Sequence, residues 1–352
     1  MAESRTYHEE SDEKNILKLR QLRKQLPDFA SDFFRGIESR TSARTRVGYA
    51  YDLITFFHYL KEETRLLKGR DYETLPVTFL EEITISDLED YVSYLSLYID
   101  ENGIKRTNKP AAKKRKLSAL KSFYRYYYKR EMISKNPTDL LDMPKLEKKA
   151  IVRMEANEVA DLMDHVETGE QLSDKQLAFH QRTVTRDMAL IALMLGTGIR
   201  VSECVGLNLD DLNMEETAAK VYRKGGKEQI VYFGDEVKEL LIPYLAEREK
   251  KKPEKGHEDA LFLSLQNRRI SVRAVEKLVK KYTRTVTTLK KITPHKLRST
   301  FGTALYQETG DIYLVASVLG HSDINTTMAH YADMEEQRRR SARNIVKIRK
   351  DD

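Results

Sequence analysis

Between residues 41 and 63, TSARTRVGYAYDLITFFHYLKEE, the bulky residues Tyr49, Leu53, Phe56, Phe57 and Leu60 recur three and four positions apart. That spacing puts them on one stripe of a helix; a half-buried strand would alternate every second residue instead. One buried helix face needs other helices against it, and the chain supplies them. Thr41 or Ser42 is placed to cap the first turn. The same period returns at 85–99, ISDLEDYVSYLSLYI, behind Ser86 and Glu89 read as a capping-box pair, and again at 110–130. Pro137 and Pro144, within the basic and irregular ISKNPTDLLDMPKLEKKAIV, break the pattern and mark a linker.

Past that break the pattern changes. Helices are expected at 155–167, 184–195, 271–283, 296–308, 311–319 and 323–331, the second ended by Gly196 and Gly198. The segment AAKVYRKGGKEQIVYFG, 218–234, alternates apolar and polar residues on both sides of a Gly-Gly pair, as a β-hairpin does. A chain of 352 residues has room for two cores. The expected fold is mainly α. It comprises an N-terminal extension, 1–35, with a short amphipathic helix around Ile16, Leu17, Leu19 and Leu22, then a small all-helical domain, 36–142, and a linker, 143–154. A larger, mostly helical domain with a small antiparallel sheet follows at 155–333, and a basic segment at 334–352 closes the chain.

Lys and Arg number 62 against 55 Asp and Glu, so the formal charge is only +7 and placement matters more than the total. From Ile104 to Arg130 there is no acidic residue, while Lys113, Lys114, Arg115, Lys116, Lys121 and Arg125 fall in the same stretch. A cationic run of this kind repels itself unless something anionic lies against it. Duplex DNA, with a phosphate about every 1.7 Å of axis, is one such partner, and a solvated helix face is the alternative reading that this run by itself leaves open. Phe123, Tyr124 and Tyr127 would turn to the core and leave the cationic side outward. The single cysteine, Cys204, cannot form an internal disulfide and reads as a packed small hydrophobe. No stretch has the character of a secretion signal or the length to span a membrane, so the expectation is a soluble, cytoplasmic protein.

Four strings carry the chemistry: GTGIRVSE (196–203), RKGGK (223–227), HKLR (295–298) and LGHSDINTTMAHY (319–331). Drawn from them, Arg200, Arg298, Lys224, His295, His321 and Tyr331 supply two guanidiniums, an ammonium, two imidazoles and a phenol, a set that suits breaking and remaking a phosphodiester without a metal. Arg200 and Arg298 are planar, permanently charged clamps for non-bridging oxygens, and His321 is a further donor. Lys224, in a hairpin turn, is a proton donor for a poor alkoxide leaving group, with Lys227 as its rival. A tyrosine phenol makes a covalent ester and leaves again more readily than an alkyl hydroxyl. His295 lies one helical turn from Arg298 on the same face, behind Pro294 in a first-turn position, and is a proton acceptor.

These strings resemble the tyrosine site-specific recombinases, the family of phage-type integrases and Xer recombinases. The family pattern is an arginine in TGxRxSE, a hairpin lysine, HxLR, and LGH followed nine or ten residues later by tyrosine. The resemblance implies Arg200, Lys224, His295, Arg298 and His321 as catalytic residues and Tyr331 as the nucleophile that forms a 3′-phosphotyrosyl link to DNA. It implies a core-binding helical domain over 36–142, a specific inverted-repeat duplex, and a homotetramer on two such sites, held by the C-terminal segment. A DNA translocase or excision factor is the implied accessory partner, and no cofactor is implied. Size and leader resemble the single-recombinase Xer type, XerS, which resolves chromosome dimers. A mobile-element integrase or transposase is the alternative with the same chemistry, and type IB topoisomerase-like relaxation a remoter one. Ser299 and Thr300 stand where many relatives carry His-Thr, and Cys204 stands for an aliphatic residue.

Overall fold

A computed structural model describes residues 6–147, 152–223 and 226–320, together with Ile324 and Met328. The chain divides into two compact units between residues 149 and 150.

The first unit holds α1 (Tyr7–Arg23), α2 (Ala30–Gly36), α3 (Ala43–Glu62), α4 (Ile85–Tyr94), strands β1 (Leu97–Ile99) and β2 (Lys105–Thr107), and α5 (Pro110–Tyr128). Ser42 caps α3, its Oγ accepting from the Thr45 N–H at 3.2 Å. The stripe of α3 is buried as expected: Leu53, Phe56, Phe57 and Leu60 lie in one core with Leu117, Leu120, Phe123, Tyr124 and Tyr127 of α5. Leu19 and Leu22 of α1, together with Leu26, Phe33 and Phe34, belong to that same core. The N-terminal extension set apart by sequence is thus a structural part of the first unit, packed along α3.

The helix expected over 85–99 ends early. Its capping box is Thr84 with Asp87, two residues before the expected pair, and α4 stops at Tyr94. Leu97–Ile99 instead pairs antiparallel with Lys105–Thr107. Asp100 drives the change: its carboxylate accepts the N–H groups of Asn102 at 3.0 Å and Ile104 at 2.9 Å and the Arg106 Nε–H at 2.7 Å, which closes a tight turn. Those bonds hold the Asp100 carboxyl below its ordinary pKa, with the Ile104 N–H as the largest cause.

The cationic helix α5 is not uniformly outward. Lys116 is buried and places its ammonium 3.3 Å from both the Asp52 carboxylate and the Thr55 hydroxyl of α3, and Arg115 also binds Asp52. Burial pushes the Asp52 carboxyl up in pKa, while Lys116 and Arg115 pull it back down.

The second unit contains α6 (Ala156–Thr168), α7 (Asp174–His180), α8 (Val184–Thr197), α9 (Val201–Gly206), and strands β3 (Leu212–Asn213), β4 (Ala218–Tyr222) and β5 (Glu228–Tyr232). It continues with α10 (Asp235–Glu249), α11 (Val272–Val286), α12 (Pro294–Thr309) and α13 (Ile312–Leu319). The helices expected at 155–167, 184–195, 271–283, 296–308 and 311–319 are α6, α8, α11, α12 and α13; the one expected at 323–331 falls largely outside the described residues, and α7, α9 and α10 had no counterpart in the sequence reading. The expected hairpin is β4–β5, in register Ala218↔Tyr232 to Tyr222↔Glu228, and β3 adds a short third strand on the β4 side.

The apolar α8 is the centre of the second unit, with Leu190, Ile191, Leu193 and Met194 all buried and with α6, α10 and α12 packed around it. At its start Asp187, fully buried, accepts from Arg186, Thr183 and the Tyr282 hydroxyl, which pins α8 to α11. At its end Gly198 turns left-handed at φ +63°, and a Cβ there would collide with Phe301 of α12 and Leu319 of α13. Among the described residues no helix is long and apolar enough to cross a membrane.

Removing Lys116 takes from the buried Asp52 carboxylate its one buried cationic partner and leaves it only the exposed Arg115. We expect Lys116→Met to lower the unfolding free energy by about 3 kcal/mol in urea titration, while Lys114→Met, on the exposed side of the same helix, changes it by less than about 0.5 kcal/mol.

Candidate active site

Helix α13 is short and rests on α12 through Val315 and Leu319 against Tyr306, with Phe301, Leu305 and Ile312 packed around them. It ends at Gly320 in the left-handed conformation, φ +62° and ψ +52°, with the Gly320 N–H donated to Ala316 and Ser317. A helix leaves its last carbonyls without intrahelical partners and concentrates partial negative charge there. Here side chains from three other segments take up all of them.

Arg298, on the second turn of α12 and only 3% exposed, donates to the Gly198 carbonyl at 2.7 Å and to the Leu319 carbonyl. Arg200, at the N-cap of α9, donates Nη2–H to the Gly320 carbonyl at 3.2 Å. Arg223, just beyond β4, donates Nη2–H to the Val318 carbonyl at 2.9 Å. Gln229 of β5 gives its amide to the Ser317 carbonyl at 3.2 Å. Four consecutive carbonyls, 317 to 320, thus face an amide and three guanidiniums. The next residue in the chain is His321.

Arg200 is oriented from behind by Glu203. The buried Glu203 carboxylate accepts the Arg200 backbone N–H at 2.9 Å and Nη1–H at 2.7 Å, one turn along α9. The Arg200 side chain remains 39% exposed, so it is the guanidinium open to solvent, whereas Arg298 is enclosed. His295 is exposed in the first turn of α12, behind Pro294 at the start of that helix. Burial and the neighbouring Arg200 charge lower the pKa of Arg223, and Glu203 opposes them; its guanidinium nonetheless stays charged across the working pH range. Cys204, next to Glu203, is fully buried and its thiol pKa is raised, chiefly by desolvation.

Of the sequence-derived catalytic set, Arg200 and Arg298 come together on the last turn of α13, and His295 shares α12 with Arg298. Lys224, His321 and Tyr331 lie outside the described residues, as does His330. Sequence reasoning passed over Glu203 and Arg223 as parts of the site, although both stood in the quoted strings. Glu203 was detectable from its three-residue spacing behind Arg200. Arg223 carried no local signal, because its partner lies 95 residues away.

Tyr282 and Tyr306 are buried, whereas Tyr232 and Tyr313 are exposed. His58 is half-buried on α3. Of the six cationic residues singled out for DNA, Lys114, Arg115 and Arg125 are exposed. Lys113 binds the Val92 carbonyl at 3.0 Å and the Ser96 hydroxyl at 2.6 Å, Lys121 binds the Leu141 carbonyl at 2.9 Å, and Lys116 is the buried partner of Asp52. The outward cationic face of α5 is narrower than the run of charges suggests.

A family model, the phage integrase family, matches residues 152–338. The chain is 35% identical over 328 residues to the tyrosine recombinase XerC of Caldanaerobacter subterraneus subsp. tengcongensis, across 89% of this chain and 84% of that protein. It is 30% identical over 321 residues to the tyrosine recombinase XerS of Streptococcus pneumoniae, across 81% and 88%. Among solved structures, the XerH site-specific recombinase bound to a palindromic difH substrate in a post-cleavage complex aligns with TM-score 0.63 at 20% identity, covering 95% of this chain and 96% of that one. The Tn1549 transposon integrase with transposon right end DNA aligns with TM-score 0.62 at 21% identity, covering 89% and 98%. These last two establish likeness of fold.

At Gly320 a side chain would need a left-handed backbone, and its Cβ would fall on the Arg223 guanidinium. We expect Gly320→Ala to abolish DNA strand cleavage while retaining duplex binding in a gel-shift assay, with a fall of several degrees in melting temperature by calorimetry.

Proposed function

The chain belongs to the phage integrase family and is a tyrosine recombinase, and we propose that within this chemistry Tyr331 is the nucleophile and Arg200, Arg298 and His321 are the phosphate-binding groups. The observation that carries this reading is the convergence of Arg200 and Arg298, from two separate helices, on the carbonyls of Leu319 and Gly320 immediately before His321. Two permanently charged forks at one point of the chain suit the two non-bridging oxygens of a phosphodiester better than any single-charge ligand.

In the cleavage step the Tyr331 phenol oxygen bonds to phosphorus as the bond from phosphorus to the 5′ oxygen breaks. The phenol proton passes to His295, and the departing 5′ oxygen takes a proton from the Lys224 ammonium. The products are a 3′-phosphotyrosyl link and a free 5′ hydroxyl. A 5′ hydroxyl from a partner duplex then attacks the link, the proton transfers run in reverse, and the phenol is regenerated. One ester replaces another at each step, so no nucleotide hydrolysis is needed. Arg200 and Arg298 neutralise charge that builds on the equatorial oxygens, and Glu203 fixes the Arg200 fork.

The first unit serves as the core-binding domain, with Lys114, Arg115 and Arg125 of α5 on phosphates and Lys113, Lys116 and Lys121 spent on the fold. Recombination of two inverted-repeat sites requires four copies of the chain, with residues 334–352 as the contact segment between protomers. The biological task in this reading is resolution of chromosome dimers in the cytoplasm, directed by a DNA translocase. Identity of 35% and 30% to two Xer recombinases over most of their lengths supports that task over mobile-element integration.

On a nicked duplex carrying the site, wild type should yield an SDS-resistant protein–DNA adduct and Tyr331→Phe none. Arg200→Ala should keep duplex binding and lose cleavage. An adduct undiminished by Tyr331→Phe would reject the assignment of the nucleophile. For the phosphate contacts, Lys114→Ala and Arg125→Ala should each lower affinity for any duplex and reduce the salt slope of log K by about 1, as measured by fluorescence anisotropy over a salt series.

A further inference from the structure

Arg223 stands in the string RKGGK directly before Lys224, and its surroundings are unusual for an arginine at the end of a strand. Its backbone closes the β4–β5 hairpin: the N–H donates to the Lys227 carbonyl at 2.8 Å, and the carbonyl accepts from the Gly226 N–H at 3.1 Å. Its side chain leaves the hairpin and reaches the last turn of α13, donating Nη2–H to the Val318 carbonyl at 2.9 Å. Nη1 packs so tightly against Gly320 that a Cβ on that residue would overlap it. The residue is 9% exposed, and among the described residues neither Nε nor Nη1 finds a hydrogen-bond partner.

A buried guanidinium with two idle donors is a poor way to add stability, because each unmatched N–H keeps its desolvation cost. An uncharged amide does the same capping job on the neighbouring carbonyl, where Gln229 binds Ser317. What arginine supplies instead is a flat, rigid strut of fixed reach between two backbone segments. One of those segments is the turn that leads into Lys224, and the other is the helix end that leads into His321.

We propose that Arg223 is a positioning residue for protonation of the leaving group: by holding the last turn of α13 it fixes the end of β4 relative to Arg200 and Arg298, and Lys224 is the next residue in the chain. The inference rests on the proton-donor role given above to Lys224. It separates two tasks within one short string, with Lys224 delivering the proton and Arg223 fixing where it is delivered. Arg200 and Arg298 bear on the non-bridging oxygens and do not share this task.

Chemistry distinguishes the tasks. When sulfur replaces the bridging 5′ oxygen, the bond from phosphorus to sulfur breaks to release a thiolate that needs no proton. A group that serves only leaving-group protonation then becomes dispensable. The experiment compares single-turnover cleavage by the full-length protein on two nicked duplexes, identical except for oxygen or sulfur at the scissile 5′ position. Both carry the inverted repeat recovered by selection from random DNA. The quantity read is the ratio of the sulfur to the oxygen rate within one preparation, so a reduced folded fraction cancels.

Lys224→Ala should raise that ratio by at least about a hundredfold, the size of a general-acid contribution. Arg223→Ala and Arg223→Gln should raise it by at least about tenfold, as a misplaced proton donor would. Arg223→Lys should fall between these and wild type, and Arg200→Ala should leave the ratio within about threefold of wild type. If Lys224→Ala raises the ratio and the Arg223 variants do not, Arg223 is a structural cap and the inference is overturned while the role of Lys224 stands. If Lys224→Ala itself leaves the ratio flat, the proton-donor reading fails and this inference falls with it. Equal loss on both duplexes in all three Arg223 variants would likewise overturn it.

Discussion

The last turn of α13 ties together three separate segments of the second unit. A helix end exposes carbonyls whose partial negative charge favours cations, an effect of about 0.3–1 kcal/mol per cation at a surface and up to about 2 kcal/mol when partly buried. Here the carbonyls of Val318, Leu319 and Gly320 each take a guanidinium, from the β4–β5 hairpin, α12 and α9 respectively. Three segments far apart in sequence are thereby fixed relative to one another by a single backbone turn. A phosphate presents the same kind of acceptor with a full charge. Two members of that array are the guanidiniums proposed above to bind the phosphate, Arg200 facing solvent and Arg298 enclosed.

Charge in the first unit obeys a different logic. The basic stretch from Ile104 to Arg130 divides between fold and surface according to which side of α5 each residue occupies. Lys116 neutralises Asp52 inside the unit, and Lys113 and Lys121 close backbone carbonyls at its edge. Lys114 and Arg125 point outward. Arg115 does both, with an exposed side chain that still reaches Asp52. A net charge of +7 thus overstates some positions and understates others, because a buried lysine contributes little to the field outside.

Legibility in the sequence followed the range of the interactions involved. Helices α3, α5, α8 and α12 were readable because their buried faces repeat locally, and the β4–β5 hairpin because its turn carries glycines between alternating runs. The stretch from Ile85 to Ile99 misled because its apolar spacing fits a helix, while the deciding interaction, Asp100 on Asn102, Ile104 and Arg106, acts on residues beyond the run. Lys116 looked solvent-facing because its partner, Asp52, lies 64 residues earlier. In the site, Arg200 and Arg298 were legible from motif spacing. The roles of Glu203 and Arg223 needed coordinates, since a positioning residue is defined by what it holds and not by its own reactivity.

Cys204 follows Glu203 directly and is the chain's one thiol, sealed within the second unit and disfavoured from ionising. Thiol reagents require the thiolate and access to it. Alkylation of Cys204 therefore reports opening of the second unit around α9, the helix that Arg200 caps, with no engineered label and no second sulfhydryl to confuse the reading.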